Sequence, residues 1–460
     1  MFEKYVVTSA MHDNDAQVAP AECHPNTRVV LLRKLENWGM GLEDVYDKKT
    51  VLWVHGSAGI GKTAIGKSLA RLLENIESPV ASFFCFSTDG QRNTIRNMVS
   101  TLAYQIALAV PETRPFIIDA VRRERKIFRR SPQTQFLHLV MNPLLQLPLP
   151  PSRLPPHVLI LIDGLDEISR ESKERRVILD IIRSSLLTLP GRVRFLIASR
   201  PEHDIETAFS HPDFTPHLFR LDLRLDLSSH DDIHKFLQDR FATLRAEHRL
   251  KLHLQSWPPQ EAITTILYRS SNHFIYAATV MKYIEAEHTD PRTRLDDILS
   301  LTSTSSAQNP YADLDAVFQQ VLVNVRTDRE LVLTILRLSL ASQTVENLDL
   351  RRFMGSTKFI ESLLCLPEGG VSLALMDLPS LLKISSSVEF LHKTIEEYLL
   401  DQSRSKGFYV DIEPAWPLMV TQIHKFLDEL FLKGYVAIVQ QYPVYLIRVW
   451  IYYIGRPMTL

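Results

Sequence analysis

Three cysteines in 460 residues, Cys23, Cys85 and Cys365, lie far apart, which excludes a disulfide framework and a thiolate metal cluster. Neither sign of charge prevails. Lys plus Arg number 52 against 53 Asp plus Glu, so no global field argues for nucleic acid or membrane as the main partner, and no specific nucleic-acid partner is expected. No apolar run approaches the ~20 residues that span a bilayer. The first residues, MFEKYVVTSAMHDNDAQ, lack a basic stretch followed by an apolar one, so no signal peptide is read and the reducing cytoplasm is the expected compartment. Glycine is scarce at 15 residues, so a glycine-rich pattern is rarely met by chance. The chain is too long for one core, and about two to four domains are expected.

Against that scarcity stands VLWVHGSAGIGKTAIGKSLARLL, Val51 to Leu73. An apolar run, Val51 to Val54, reads as a buried parallel strand, and Lys62 onward reads as an amphipathic helix. Between them Gly56, Ser57, Ala58, Gly59, Ile60, Gly61, Lys62, Thr63 and Ala64 follow the P-loop order G-x-x-x-x-G-K-[ST]. Glycines and small residues let the backbone curl until successive N–H groups converge on a phosphate, and the positive end of the next helix adds to that field. Lys62 is placed to reach the β- and γ-phosphates and the Thr63 hydroxyl to ligate Mg²⁺.

The second chemical element is VLILIDGLDE, Val158 to Glu167. Five apolar residues followed by Asp163 read as a buried parallel strand with a carboxylate at its C-terminal edge, where open α/β sheets bind ligands. Asp163 there shares the Mg²⁺ shell with Thr63. Asp166 and Glu167 are candidates to orient or deprotonate an attacking water. A further strand, Val193 to Ala198, ends in Ser199, Arg200 and Pro201, and Arg200 can sense a γ-phosphate if this strand lies between the other two.

Thr27 to Trp38 has helical periodicity, Pro79 to Phe86 and His217 to Leu223 read as strands, and Asn93 to Val110 as a long helix. Alternating strands and helices indicate a doubly wound parallel sheet. The basic run Val121 to Arg130 reads either as a solvated helix end or as a site for a phosphate or acidic partner. Pro143 to Pro156 reads as a non-helical, proline-rich connector. After about Leu227 the pattern becomes helical, Ser229 with Asp232 resembling a cap. Around 382–391 two short β-like pieces flank a serine turn, and helix plus hairpin suggests a winged helix. The expected class is therefore α/β then α. Its parts are a flexible lead (1–26), a P-loop core (27–226), a helical domain (227–300), a winged-helix domain (301–402) and a helical C-terminal segment (403–460).

GSAGIGKT, VLILIDGLDE and FLIASRP, in this order, resemble the NACHT module of the STAND signal-transduction NTPases, closest to the fungal NACHT and nephrocystin-like group. CHPNTR at Cys23 to Arg28, STLAYQIA at Ser100 to Ala107, HFIYAATVMKYI at His273 to Ile284 and EFLHKTIEEYL at Glu389 to Leu399 extend the likeness over roughly 23–400. The resemblance implies that His392 touches the nucleotide phosphate in a closed, ADP-bound state. It also implies that Thr27 and Arg28 lie near the base edge and that Arg200 senses the third phosphate. The glycine usual before the aromatic-Ala motif is replaced around Ser271 to His273.

The function so implied is an ATP/ADP switch with Mg²⁺, slow hydrolysis by Asp166, Glu167 and Arg200, and an open form that self-associates, with further protein partners unidentified. Innate-immunity or nonself-recognition signalling is the setting the resemblance suggests. A nucleotide-bound scaffold, or a truncated regulatory paralogue without turnover, is the alternative.

Overall fold

The computed structural model describes residues 2–421 except 14–21, 43–45, 47–48, 88, 149–157, 169–172, 190, 227, 251–253, 255, 287–288, 302–310, 346–347 and 420. The later part of the expected C-terminal helical segment, 422–460, thus lies outside the described residues, as do residues 302–310 at the start of the expected winged-helix domain. The chain divides into two compact units, Met1–Met281 and Lys282–Leu460. The segment read as one helical domain over 227–300 is shared between them.

In the first unit, five parallel strands form one sheet: β1 (Val51–His55), β2 (Val80–Phe84), β3 (Val158–Asp163), β4 (Val193–Ser199) and β5 (Leu218–Asp222). Their order across the sheet is β2-β3-β4-β1-β5, so β4 lies between β3 and β1, as the sensor reading of Arg200 requires. The registers pair Asp163 with both Phe84 and Ala198, and His55 with both Ser199 and Asp222. All five strands therefore end at one edge.

Side chains alternate across a strand, and here both sets are apolar because both faces are covered. Trp53, Phe83, Ile160, Ile162, Phe195 and Ile197 join one core, shared with the helices Met98–Ala109 and Glu174–Thr188. Leu52, Val54, Leu159, Leu161, Leu196 and Ala198 join the other, shared with the helices Val29–Met40 and Lys62–Asn75. Continuous apolar runs in β1, β3 and β4 are what made those strands readable.

Two sequence readings are corrected. The lead 1–26 is not wholly flexible: Phe2–Tyr5 and Thr8–Ala10 are 3-10 turns that seal the first core. Val7 and Ala10 are buried in it, the Tyr5 ring stacks on Phe128 at 4.5 Å, and the Val7 amide donates to Thr101 Oγ1 at 3.0 Å. The proline-rich connector begins inside a helix. Pro132–Phe136 runs through a π-helical segment, Leu137–Met141, into Asn142–Gln146, so Pro143 lies inside a continuous helical run, directly after the π turn where the regular i→i−4 ladder is already interrupted. The basic run is divided between the end of the helix Arg114–Arg123 and the 3-10 turn Ile127–Arg129. Its arginines pair locally, Arg123 with Asp119 at 2.6 Å and Arg130 with Glu124 at 3.2 Å.

The second unit holds helices, among them Ala312–Val323 and Arg329–Gln343, and an antiparallel hairpin, β6 (Leu382–Ile384) with β7 (Val388–Phe390). Phe318 packs on Tyr398 at 5.4 Å, and Arg404 pairs with Asp315 through 2.7 Å and 3.1 Å bonds. Among the described residues, no helix is long and apolar enough to cross a membrane.

Candidate functional site

Strand β1 ends at His55, and the chain turns through Gly56–Gly61 into the helix Lys62–Asn75. Gly59 and Gly61 have φ of +76° and +106°, a left-handed backbone that other residues adopt only at a cost. The loop's carbonyls are anchored from several directions. Gly56 O and Ser57 O each accept from Lys62 Nζ at 2.9 Å, Gly59 O from the Ile275 amide at 3.2 Å, and Ile60 O from Arg28 Nη2 at 3.2 Å. Gly61 O takes the first bond of the helix, from Ile65 N. Anchored peptide planes hold the loop's curl, and the first helical N–H groups are available to an anion.

Thr63 Oγ1 donates to Asp163 Oδ2 at 2.6 Å, so the P-loop threonine and the carboxylate ending β3 already meet. Asp163 is buried, and among the described residues its other oxygen, Oδ1, has no hydrogen-bond partner. Burial pushes its pKa from 3.8 up to about 7, opposed by the Thr63 hydrogen bond and Lys62, while Glu167 and Asp166 add to the rise. Burial likewise lowers the Lys62 pKa against the pull of Asp166 and Asp163. A carboxylate oxygen buried without a partner, next to a hydroxyl, suits a hard cation with oxygen ligands. These residues fit Mg²⁺.

Asp166 is tied to the neighbouring strand end: Oδ1 accepts from the Arg200 amide at 3.0 Å and Oδ2 lies 3.3 Å from Arg200 Nε. Glu167 Oε2 accepts from the Ser87 amide at 2.8 Å, beyond the end of β2. The inserted position of β4 is what brings Arg200 beside the acidic turn.

Arg28 is buried with its guanidinium fully engaged. Nη1 pairs with Asp226 and donates to Ser229 Oγ at 2.6 Å, Nη2 binds Ile60 O, and the group lies 5.2 Å from the Phe274 ring centroid. Thr27, also buried, donates its hydroxyl to His24 O at 2.7 Å. Ser229 thus serves Arg28, and the start of the helix Ser228–Glu247 is capped by Asp226, whose Oδ1 accepts from the Ser228 amide at 3.1 Å. His392 belongs to the second unit, where it caps the helix Lys393–Leu400: Nδ1 accepts from the Thr394 amide at 3.2 Å.

Three contributors escaped the sequence reading. Arg175 braces the acidic turn, binding Ile168 O, Asp166 O and Glu202, the last at 2.6 Å. His273 reaches Ser57 Oγ with Nε2 at 2.8 Å, and Ile275 lies against Gly59. Neither a lone Arg within a helix nor a His after a turn carries a spacing signal, since their partners are more than 20 residues away or on another element.

A comparison with curated proteins returns no match. Among solved structures, the Walker-type ATPase PABY2304 of Pyrococcus abyssi aligns with 83% of this chain and 98% of its own, at 12% identity and a TM-score of 0.38. The ORC2 protein of Aeropyrum pernix, in ADPNP–ADP complexes, aligns with 90% and 98%, at 13% and 0.35. Cdc6p of Pyrobaculum aerophilum aligns with 84% and 97%, at 14% and 0.32. Likenesses this distant say nothing about ligand or partner. Residues 34–200, which hold β1 to β4 and the motifs at their ends, match the family model of nephrocystin 3, N-terminal, and the P-loop NTPase reading of this region agrees with that match.

Proposed function

We propose that the chain is an ATP/ADP-binding switch of the NACHT (STAND) type, with slow hydrolysis between a closed and an open, self-associating form. The observation that carries this reading is the bond from Thr63 to Asp163, with Asp163 Oδ1 buried and unpartnered beside the P-loop. Lys62 is the cation for the β- and γ-phosphates, and Thr63 and Asp163 hold Mg²⁺. When bound, the metal neutralises phosphate charge and orients the terminal phosphoryl group. Arg200, docked on Asp166, answers to the third phosphate, and Glu167 orients the water. Arg28 acts through Ile60, fixing the loop from the side on which the resemblance puts the base.

The closed-state contact of His392, the winged-helix identity of the hairpin region, cytoplasmic signalling in immunity or nonself recognition, and self-association belong to this same reading. Moving such an equilibrium from 1:99 to 99:1 takes about 5.5 kcal/mol of differential binding, within reach of a γ-phosphate, its metal and one ionic contact.

The test is direct. Chromatography of the nucleotide released from purified protein should identify ADP or ATP, and Lys62→Ala should weaken binding of either by about 100-fold or more. A wild-type protein that binds neither, or a Lys62→Ala variant that binds equally well, removes the reading. Slow ATP hydrolysis lost in Glu167→Gln separates the switch from a scaffold without turnover, and loss of retained ADP in His392→Ala tests the closed state.

A further inference from the structure

The P-loop is held from a direction that its motif does not predict. After the helix Gln260–Ser270 the chain turns through Ser271 and Asn272, with φ of +45° and +66°, and delivers His273 and then the helix Phe274–Ile284. Two successive non-glycine residues in left-handed conformation are costly, so surrounding contacts must hold this turn. The contacts lie on the P-loop. His273 Nε2 is 2.8 Å from Ser57 Oγ, and the Ile275 amide donates to Gly59 O at 3.2 Å. Ile275 covers Gly59 so closely that a Cβ there would sit 2.1 Å from Ile275 Cγ2.

We propose that His273 is a positioning residue of the nucleotide site, setting the hydrogen-bond polarity of the Ser57 hydroxyl and so coupling phosphate occupancy of the loop to the helix Phe274–Ile284. The inference rests on the nucleotide reading above.

The backbone of Ser270 and Ser271 also hydrogen-bonds the imidazole. With Nε2 on Ser57, those acceptors take the Nδ1 proton, and the neutral ring accepts the Ser57 O–H at Nε2. Ser57 then offers only lone pairs to an arriving phosphate oxygen. Uptake of one proton from solvent reverses the bond: Nε2–H donates to Ser57 Oγ, and the hydroxyl proton becomes available to the phosphate.

The charges around the ring oppose that uptake until an anion is present. Burial, and then Lys62 from the helix after the loop, hold the His273 pKa below its ordinary value. Arg28, over the adjacent Phe274 ring, is paired with Asp226 and approaches Asp232 at 4.0 Å. Phosphate brought against Lys62 offsets the coulombic part of this opposition, and its own negative charge favours the imidazolium against the burial that remains. Nucleotide binding and proton binding are thus linked, and affinity rises as pH falls.

The test titrates a fluorescent ADP analogue with Mg²⁺ into wild type, His273→Gln, His273→Ala, Ser57→Ala and the Ser57→Ala/His273→Ala double variant. Titrations run at pH 6, 7 and 8, with melting curves to verify folding. His273→Gln keeps a partner for Ser57 but cannot titrate, so it should recover most of the affinity lost in His273→Ala without recovering the pH response. From pH 8 to 6, wild type should gain about five- to tenfold more affinity than His273→Gln, a difference that cancels the nucleotide's own titration. The double variant should be no weaker than the weaker single one, and calorimetry in two buffers should register proton uptake in wild type that His273→Gln lacks.

Coincident pH profiles for wild type and His273→Gln, or additive losses in the double variant, overturn the inference while the nucleotide reading stands. Absence of binding by wild type overturns both.

Discussion

Asp163 shows what the site costs the fold. A carboxyl whose pKa stands near 7 in the folded protein and near 3.8 when exposed binds a proton more tightly folded than unfolded. Its favourable contribution is therefore complete below about pH 4 and lost as pH rises through 7. In metal-free, nucleotide-free protein kept with a chelator, stability should fall across that window. Asp163→Asn, which cannot ionise, should flatten the slope and be more stable than wild type at pH 8 by about 1–3 kcal/mol, while losing Mg²⁺-dependent nucleotide binding. Denaturant melts from pH 4 to 8 check both, and a steeper slope in the variant would refute the sign. Arg28 presents the opposite case, a buried cation satisfied by Asp226, Ser229 and the Ile60 carbonyl. Arg28→Ala leaves those partners exposed to one another and should cost about 3–5 kcal/mol, with Arg28→Lys recovering only part because one ammonium cannot span the same partners.

Among the elements, the P-loop illustrates how far a motif can be read. Its glycines were legible, and so was the strand–loop–helix context, because both follow from local backbone demands. What closes over the loop was not. Gly59 is needed for its left-handed φ and also because Ile275 occupies the space a side chain would take. Gly59→Ala should therefore destabilise the first unit by about 2–4 kcal/mol, and adding Ile275→Ala should restore only the steric part. Melting curves of the two variants separate the contributions. Strands β1, β3 and β4 were legible as apolar runs, and the insertion of β4 was anticipated as the condition for Arg200 to act. The helix through Pro143 was missed because proline density was read as connector, whereas here the proline follows a π-helical turn in which the i→i−4 ladder is already interrupted.

For the molecule as a whole, the division at Met281/Lys282 predicts how it melts. Calorimetry should resolve two transitions, and Mg²⁺ with ADP should raise the one belonging to residues 1–281. At about 100 times Kd the added stability is about 2.7 kcal/mol, a shift of several degrees for a unit of this size. Ligand that left both transitions in place would contradict nucleotide binding in the first unit. Light scattering with ATP and with ADP reads the proposed self-association, which should be greater with ATP.

The order of motifs along the chain already contained the parallel sheet, the P-loop and the carboxylate Asp163 at a strand end, because each depends on residues within a few positions of one another. Alternating apolar faces and glycine conformations are local properties. The two motifs also anticipated that Thr63 and Asp163 meet, whereas the partnership of Arg200 with Asp166, of Arg28 with Ile60 and of His273 with Ser57 joins residues about 30 to more than 200 positions apart. Such pairs leave no periodicity in a single sequence. They exist because the sheet brings its strand ends to one edge, and a turn held in an unfavourable conformation places an imidazole on the loop.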